Sequence, residues 1–142
     1  MTLEQNKAIT RRFFEAFEAN DQSTLKQVLA SDLVFHHDGA AEPESRESFL
    51  QIVGAFKAAF SDQHYTIEDQ IAEGDKVTTR ATWRAVHTGE FQGIPPTGNP
   101  VSMTGIAVDC VRNGEIVERW LNHDLLGLMQ QLGAIPEPQP AG

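Results

Sequence analysis

An α+β fold, with a strongly curved antiparallel sheet forming a cone over N-terminal helices, is predicted by three features of the chain. Apolar residues recur at helical spacing in the first part of the sequence. From Tyr65 onward the period drops to two, through several strand-like runs separated by turn signals. Helices therefore come first and an antiparallel meander follows, which is the pattern of α+β domains. A sheet bent over helices leaves a cone-shaped cavity on one face and exposes the other, which is suited to pairing with a second copy.

Each element has its own signature. Ile9, Phe13, Ala16 and Phe17 form one helical stripe, and Thr2 with Gln5 has the form of a capping box, so the first helix covers roughly residues 3–19. A short second helix buries Leu25, Val28 and Leu29, with Asp21 or Ser23 as its start. "DLVFHH" is a strand, and "DGAAEPE" breaks it. Ser45 opens a third helix with Phe49, Ile52, Val53, Phe56 and Phe60 on one side. Tyr65, Ile67 and Ile71 alternate with polar residues up to the turn at Gly74–Asp75. "KVTTRATWRAVH" is a long strand carrying Val77, Ala81, Trp83, Ala85 and His87 on one face. "VSMTGIAVDCVR" and "EIVERWLN" form a hairpin about Asn113–Gly114, a strong type I′ signal. Asp124 can cap a last helix bearing Leu125, Leu128, Met129 and Leu132, which Gly133 stops. Residues 1–134 thus read as one domain and 135–142 as a flexible tail.

At 142 residues the chain is long enough for one self-sufficient core. A formal net charge of −9 argues against nucleic acid or an anionic membrane as partner. No apolar run approaches membrane-spanning length. The single cysteine, Cys110, cannot form an intrachain disulfide and has no evident activating neighbour. Together with a polar N-terminus, this predicts a cytoplasmic protein.

Between the two long strands lies "HTGEFQGIPPTGNPV", with three glycines and three prolines. Prolines 95 and 96 fix its shape, and Phe91 and Ile94 can seal the edge of a cavity or an adjoining subunit. Strand parity sorts the candidate site residues. If "EIVERWLNHD" stays regular, Ile116, Glu118, Trp120, Asn122 and Asp124 share a side. Trp120 is too large to leave in water, which makes that side the inner one. Asp124 then sits in an apolar pocket, where desolvation disfavours its charged form and suits it to general acid or base work. The competing reading is that Asp124 only caps the last helix. His37 shares parity with Leu33 and Phe35 and faces the cavity. His36 and His37 point to opposite faces, and no third ligand stands at a metal-site spacing, so no metal is expected. His87 either meets a ligand oxygen or anchors the loop. In the facing strand either Met103, Gly105 and Ala107 or their neighbours could be inward. The sequence has no phosphate loop, dinucleotide fingerprint or nucleophile elbow, and no cofactor is expected.

The loop "HTGEFQGIPPTGNPV", followed by "NGEIVERWLNHDLLGLMQQLG", closely resembles the SnoaL-like polyketide cyclases, also called ester cyclases, of the nuclear-transport-factor-two-like superfamily. "FFEAFEANDQSTLKQVLASDLVFHH" fits that family's opening, so the resemblance covers nearly the whole chain. It implies a cone-shaped, cystatin-like α+β barrel, dimeric or higher. It also implies intramolecular aldol closure of a polyketide ester without metal or cofactor. The family's acid/base, an Asp at the end of the last long strand, matches Asp124. Family members add a His from the neighbouring strand, where this chain reads Val108, Asp109 and Cys110; His87, His37 and Asn122 are the substitutes. Trp83, Trp120, Asn122, Phe35, Phe91, Ile94 and Met103 are the expected contacts of a small hydrophobic or aromatic ligand. A non-catalytic binder, or a hydrolase or isomerase in the same pocket, is the alternative.

Overall fold

A computed structural model describes residues 1–136 of the chain. Helix α1 covers Leu3–Ala19, α2 Gln22–Val28, and strand β1 Leu29–His37. Then follow α3 (Arg46–Ala59), β2 (Phe60–Glu73), β3 (Lys76–His87), β4 (Pro100–Arg112), β5 (Glu115–His123) and α4 (Leu125–Gln131). From residue 137 on, the predicted tail lies outside the described residues. No helix among the described residues is long and apolar enough to cross a membrane.

The helix ends follow the predicted chemistry. Thr2 and Gln5 form the reciprocal capping box of α1, while Asp21, Ser45 and Asp124 cap α2, α3 and α4. Leu29 and Phe60 belong to strands instead of helix ends, because each follows a helix directly and takes up extended backbone as its C-cap.

The sheet order is β1-β5-β4-β3-β2, open at both edges. Here the expectation of an antiparallel sheet needs correction: β1 joins β5 in parallel, so the sheet is mixed. The four later strands form the predicted meander, and Asn113–Gly114 turns β4 into β5 with both residues at positive φ. Register shifts interrupt β2 between Ser61 and His64 and between Ile67 and Asp69, and such bulges bend a strand. The concave face packs on α1 and α3 around Phe13, Phe17, Phe49, Val77 and Ile116. A second cluster, with Phe60, Trp83, Phe91, Leu128 and Leu132, joins the loop and α4 to the other end of the sheet.

The loop after β3 is built on close backbone approaches. Thr88 and Gly89 both donate to the Ala59 carbonyl at 3.0 Å. A Cβ on Gly89 would lie 2.0 Å from the Ala58 oxygen, so only glycine fits. Phe91 and Ile94 exchange two backbone hydrogen bonds of 3.0 and 2.8 Å across Gln92 and Gly93, whose φ values of 48° and 81° make a primed turn. This small hairpin sets Phe91 against Phe56 and Phe60, with ring centroids 5.4 and 5.1 Å apart.

Candidate active site

Sheet pairing lays the inward residues out in rows. Val77, Asp109 and Arg119 form one row across β3, β4 and β5. Thr79, Ala107 and Leu121 form the next, and Ala81, Gly105 and His123 the third. Trp83 pairs with Met103 beyond them. On β3 and β4 the middle rows carry small side chains, so the sheet and helices do not meet there. The gap is a cavity of about 230 Å³, with a lining that is mostly apolar. An apolar cavity of about 150 Å³ already holds benzene, so this one suits a flat molecule of up to two rings.

Trp83, Phe35, Phe91, Met103 and His37 all line the cavity. Of the two alternatives left open for β4, the set with Met103, Gly105 and Ala107 is the inward one. Ile94 packs behind Phe91, outside the lining.

The placement of Trp120, Asn122 and Asp124 is corrected by one residue. Val111 pairs with Ile116 but Cys110 pairs with Glu118, so Val117 is extra and β5 carries a bulge. An inserted residue reverses the parity of everything after it. Ile116 is inward and fully buried, yet the next inward residue is Arg119, followed by Leu121 and His123. Trp120 therefore lies on the convex face, where its ring stacks on His36 with centroids 5.4 Å apart. Asn122 is exposed on the same side. Asp124 is exposed too, and its carboxylate accepts from the Gly127 amide at 2.9 Å as the cap of α4. The apolar surroundings that would have made it an acid or base are absent.

His87 is likewise moved out of the site. It is fully buried beside Phe60 but does not line the cavity. The Thr97 amide donates to its Nδ1 at 3.1 Å, and its backbone accepts from Gly98 and donates to Asn99. It is the anchor of the loop. His36 and His37 do face opposite ways: His36 bonds Glu118 at 2.8 Å outside, while His37 stacks on Phe35 inside and pairs with Glu44.

What the bulge brings inward is a different polar group at the mouth of the cavity. His123 stands there with His37 and Asp38. The Asp38 carboxylate accepts from the Asn122 side chain at 2.6 Å and from the His123 amide at 2.8 Å. It also lies 3.5 Å from His123 Nδ1, a nitrogen with no hydrogen-bond partner. Burial pushes the His123 pKa below the ordinary imidazole value, against the pull of Asp38 and with help from His37 and Arg119. At the opposite end, Arg119 and Asp109 form a buried ion pair that sequence reasoning did not find. Tyr65, Thr79, Gln92 and Thr104 also contribute to the polar lining. Burial also raises the Tyr65 pKa, so its hydroxyl keeps its proton.

Fold and site define a small-molecule pocket protein of α+β type, with a few ionisable side chains at an otherwise apolar cavity. The model of the SnoaL-like polyketide cyclase family matches residues 7–132, and the chain belongs to that family. Solved structures agree. IdmH of Streptomyces antibioticus, provisionally assigned as a polyketide cyclase, is 36% identical at a TM-score of 0.82, over 91% of this chain and 99% of its own. AclR of Streptomyces galilaeus, provisionally assigned as a hydroxylase, is 26% identical at 0.89, over 98% and 87%. TsrD of Streptomyces laurentii is 26% identical at 0.83, over 95% and 99%. No curated protein matches the chain.

Proposed function

We propose that the protein is a cofactor-independent cyclase that closes a ring of a polyketide-like aromatic ester by intramolecular aldol addition, with His123 as acid/base in place of Asp124. The observation that carries this reading is the pairing of His123 with Asp38 at the mouth of the apolar cavity, with the imidazole basic form favoured by burial. The Asp38 carboxylate, 3.5 Å from Nδ1, attracts a proton there by its charge, which leaves Nε2 as the base. Nε2 takes a proton from a carbon flanked by carbonyls. The electron pair of the broken C–H bond passes into the enolate, and the enolate carbon bonds to a second carbonyl carbon. That carbonyl's π pair moves to its oxygen, which takes the proton back from Nε2. The cavity walls hold the chain folded and exclude water. His37, braced by Glu44, is a second proton carrier on the same side.

The family match and the IdmH structure support cyclisation as the reaction class. Membership alone does not fix the chemistry, since a fold hosts many functions. The convex face, where Ile106 on β4 and Ile71 on β2 are exposed, is the surface for a homodimer, and sedimentation equilibrium tests it.

The test follows ring closure of an aromatic ester bearing an activated methylene, by chromatography and mass spectrometry, with the full chain. His123→Gln is expected to lower kcat by about 10²- to 10⁴-fold, while Asp124→Asn keeps it. Unchanged turnover in His123→Gln, or its loss in a folded Asp124→Asn variant, overturns the assignment.

A further inference from the structure

The deep end of the cavity holds polar groups that the proton transfer does not use. Arg119 Nη1 donates to both oxygens of Asp109, at 2.8 and 2.9 Å, and the two side chains are 4% and 0% exposed. A guanidinium has five N–H donors, and here only one nitrogen is engaged. Nε is buried without an acceptor, and Nη2 donates to nothing among the described residues. Phe13 and Phe14 cover the guanidinium, their ring centroids 4.2 and 5.3 Å from Cζ. One row nearer the mouth, Thr79 Oγ1 accepts from Gln70 at 3.0 Å and donates to no acceptor among the described residues. Both Arg119 and Thr79 line the cavity. Buried donors left open cost stability, so each of these calls for an acceptor, which an ordered water or a bound ligand supplies.

We infer that this end of the cavity reads an oxygen acceptor: it takes the carbonyl or phenol oxygen of a flat, uncharged aromatic ligand and so fixes which end of that ligand reaches His123. The inference rests on the cavity being the ligand site and names the ligand's chemical class. Arg119 and His123 lie four residues apart on β5, a span of roughly 13 Å at strand rise. A fused two-ring system with a substituent at each end bridges it. The ligand's deep oxygen is uncharged because Asp109 already neutralises Arg119. A carboxylate placed there would face a second carboxylate in apolar surroundings. Thr79 adds a donor without charge, which suits a ketone, ester or phenol.

Calorimetric titration with three probes of one shape tests this. The probes are 2-acetylnaphthalene, its hydrocarbon counterpart 2-isopropenylnaphthalene, and 2-naphthoate. The full chain is expected to bind the ketone about tenfold more tightly than the hydrocarbon, the ratio one buried hydrogen bond to a charged donor gives. The carboxylate should bind no better than the hydrocarbon. Thr79→Val should shrink the ketone's advantage, and the paired change Arg119→Met with Asp109→Leu should abolish it while hydrocarbon binding persists. The pair avoids leaving a lone buried charge. Equal affinity for ketone and hydrocarbon, preference for the carboxylate, an advantage that survives in the paired variant, or no binding of any probe each overturns the inference. His123→Gln should leave the ketone's advantage intact. Loss of turnover in His123→Gln without any ketone preference therefore refutes this site alone. A ketone preference with normal His123→Gln turnover refutes the proton-transfer reading alone.

Discussion

Replacing Arg119 by Met is the perturbation with the most predictable cost. The pair it breaks is out of solvent on both sides, with Asp109 fully buried. Methionine keeps an apolar contact with Phe13 and Phe14 but leaves the Asp109 carboxyl without its two hydrogen bonds. Removing one partner of such a pair costs about 3–5 kcal/mol, mostly the penalty of the abandoned charge. A domain of this kind is stable by about 5–15 kcal/mol, so the variant loses a large share. With a urea m-value of about 1.5 kcal/mol/M, the unfolding midpoint falls by about 2–3 M. Burial already raises the Asp109 pKa against the opposing pull of Arg119, so without Arg119 the carboxyl protonates readily and the loss shrinks as pH falls. The paired variant Arg119→Met with Asp109→Leu removes both charges and should lie within about 2 kcal/mol of the parent. Urea titrations followed by far-ultraviolet circular dichroism at two pH values measure all three proteins. A loss below about 1 kcal/mol in Arg119→Met, or a paired variant no better than the single one, refutes the reasoning.

Three further outcomes follow from the geometry. Because the folded His123 pKa lies below its unfolded value of about 6.5, the unfolded chain binds the extra proton, so stability falls as pH drops through the ordinary imidazole range and is unaffected above it. Urea midpoints between pH 8 and 5 should show this slope, and His123→Gln should flatten it; an equal slope in both refutes it. Asp124→Ala should cost about 1 kcal/mol through the lost cap of α4 while Asp124→Asn costs little, and equal losses in chemical denaturation would count against the capping role. Gly89→Ala should cost about 2–3 kcal/mol because its Cβ meets the Ala58 carbonyl, and a thermal midpoint within 1–2 °C of the parent, the error of about a few tenths of a kcal/mol, would show that the loop stem yields freely.

The fold was largely legible because its signals are local. The capping box at Thr2, the caps at Ser45 and Asp124, the turn at Asn113–Gly114 and the alternation from Lys76 to His87 each act within a few residues. The parallel pairing of β1 with β5 was not, because it joins residues such as His36 and Trp120 that lie far apart in sequence. The cavity lining was legible on β1 and β3, where the regular runs 34–37 and 76–87 put His37, Phe35 and Trp83 against the cavity. His87 keeps the inward parity assigned to it, but neither the end of the cavity nor the grip of Thr97 could be read from spacing.

The largest difference arises on β5, from a single residue. Parity arguments assume an unbroken pleat, and Val117 breaks it. The sequence did hold a counter-signal: Ile116, Arg119, Leu121 and His123 cannot be all inward on a flat strand, yet Ile116 is the natural core residue beside the hairpin and Leu121 is apolar. The size of Trp120 points the other way, to its own side of the strand as the inner face. An aromatic ring can be shielded without entering the core, and Trp120 does this by stacking on His36 across the convex face. The bulge thus has a chemical consequence as well as a geometric one. With a regular strand the cavity would receive a tryptophan, an amide and a carboxylate. With the bulge it receives a guanidinium already paired to Asp109, a leucine, and a histidine held beside Asp38. The first set would crowd the cavity and offer one acid. The second leaves the small residues of β3 and β4 facing open space and puts hydrogen-bond donors at one end and an imidazole at the other. On the proposed reading, substrate orientation and proton transfer fall to separate residues of one strand, Arg119 and His123.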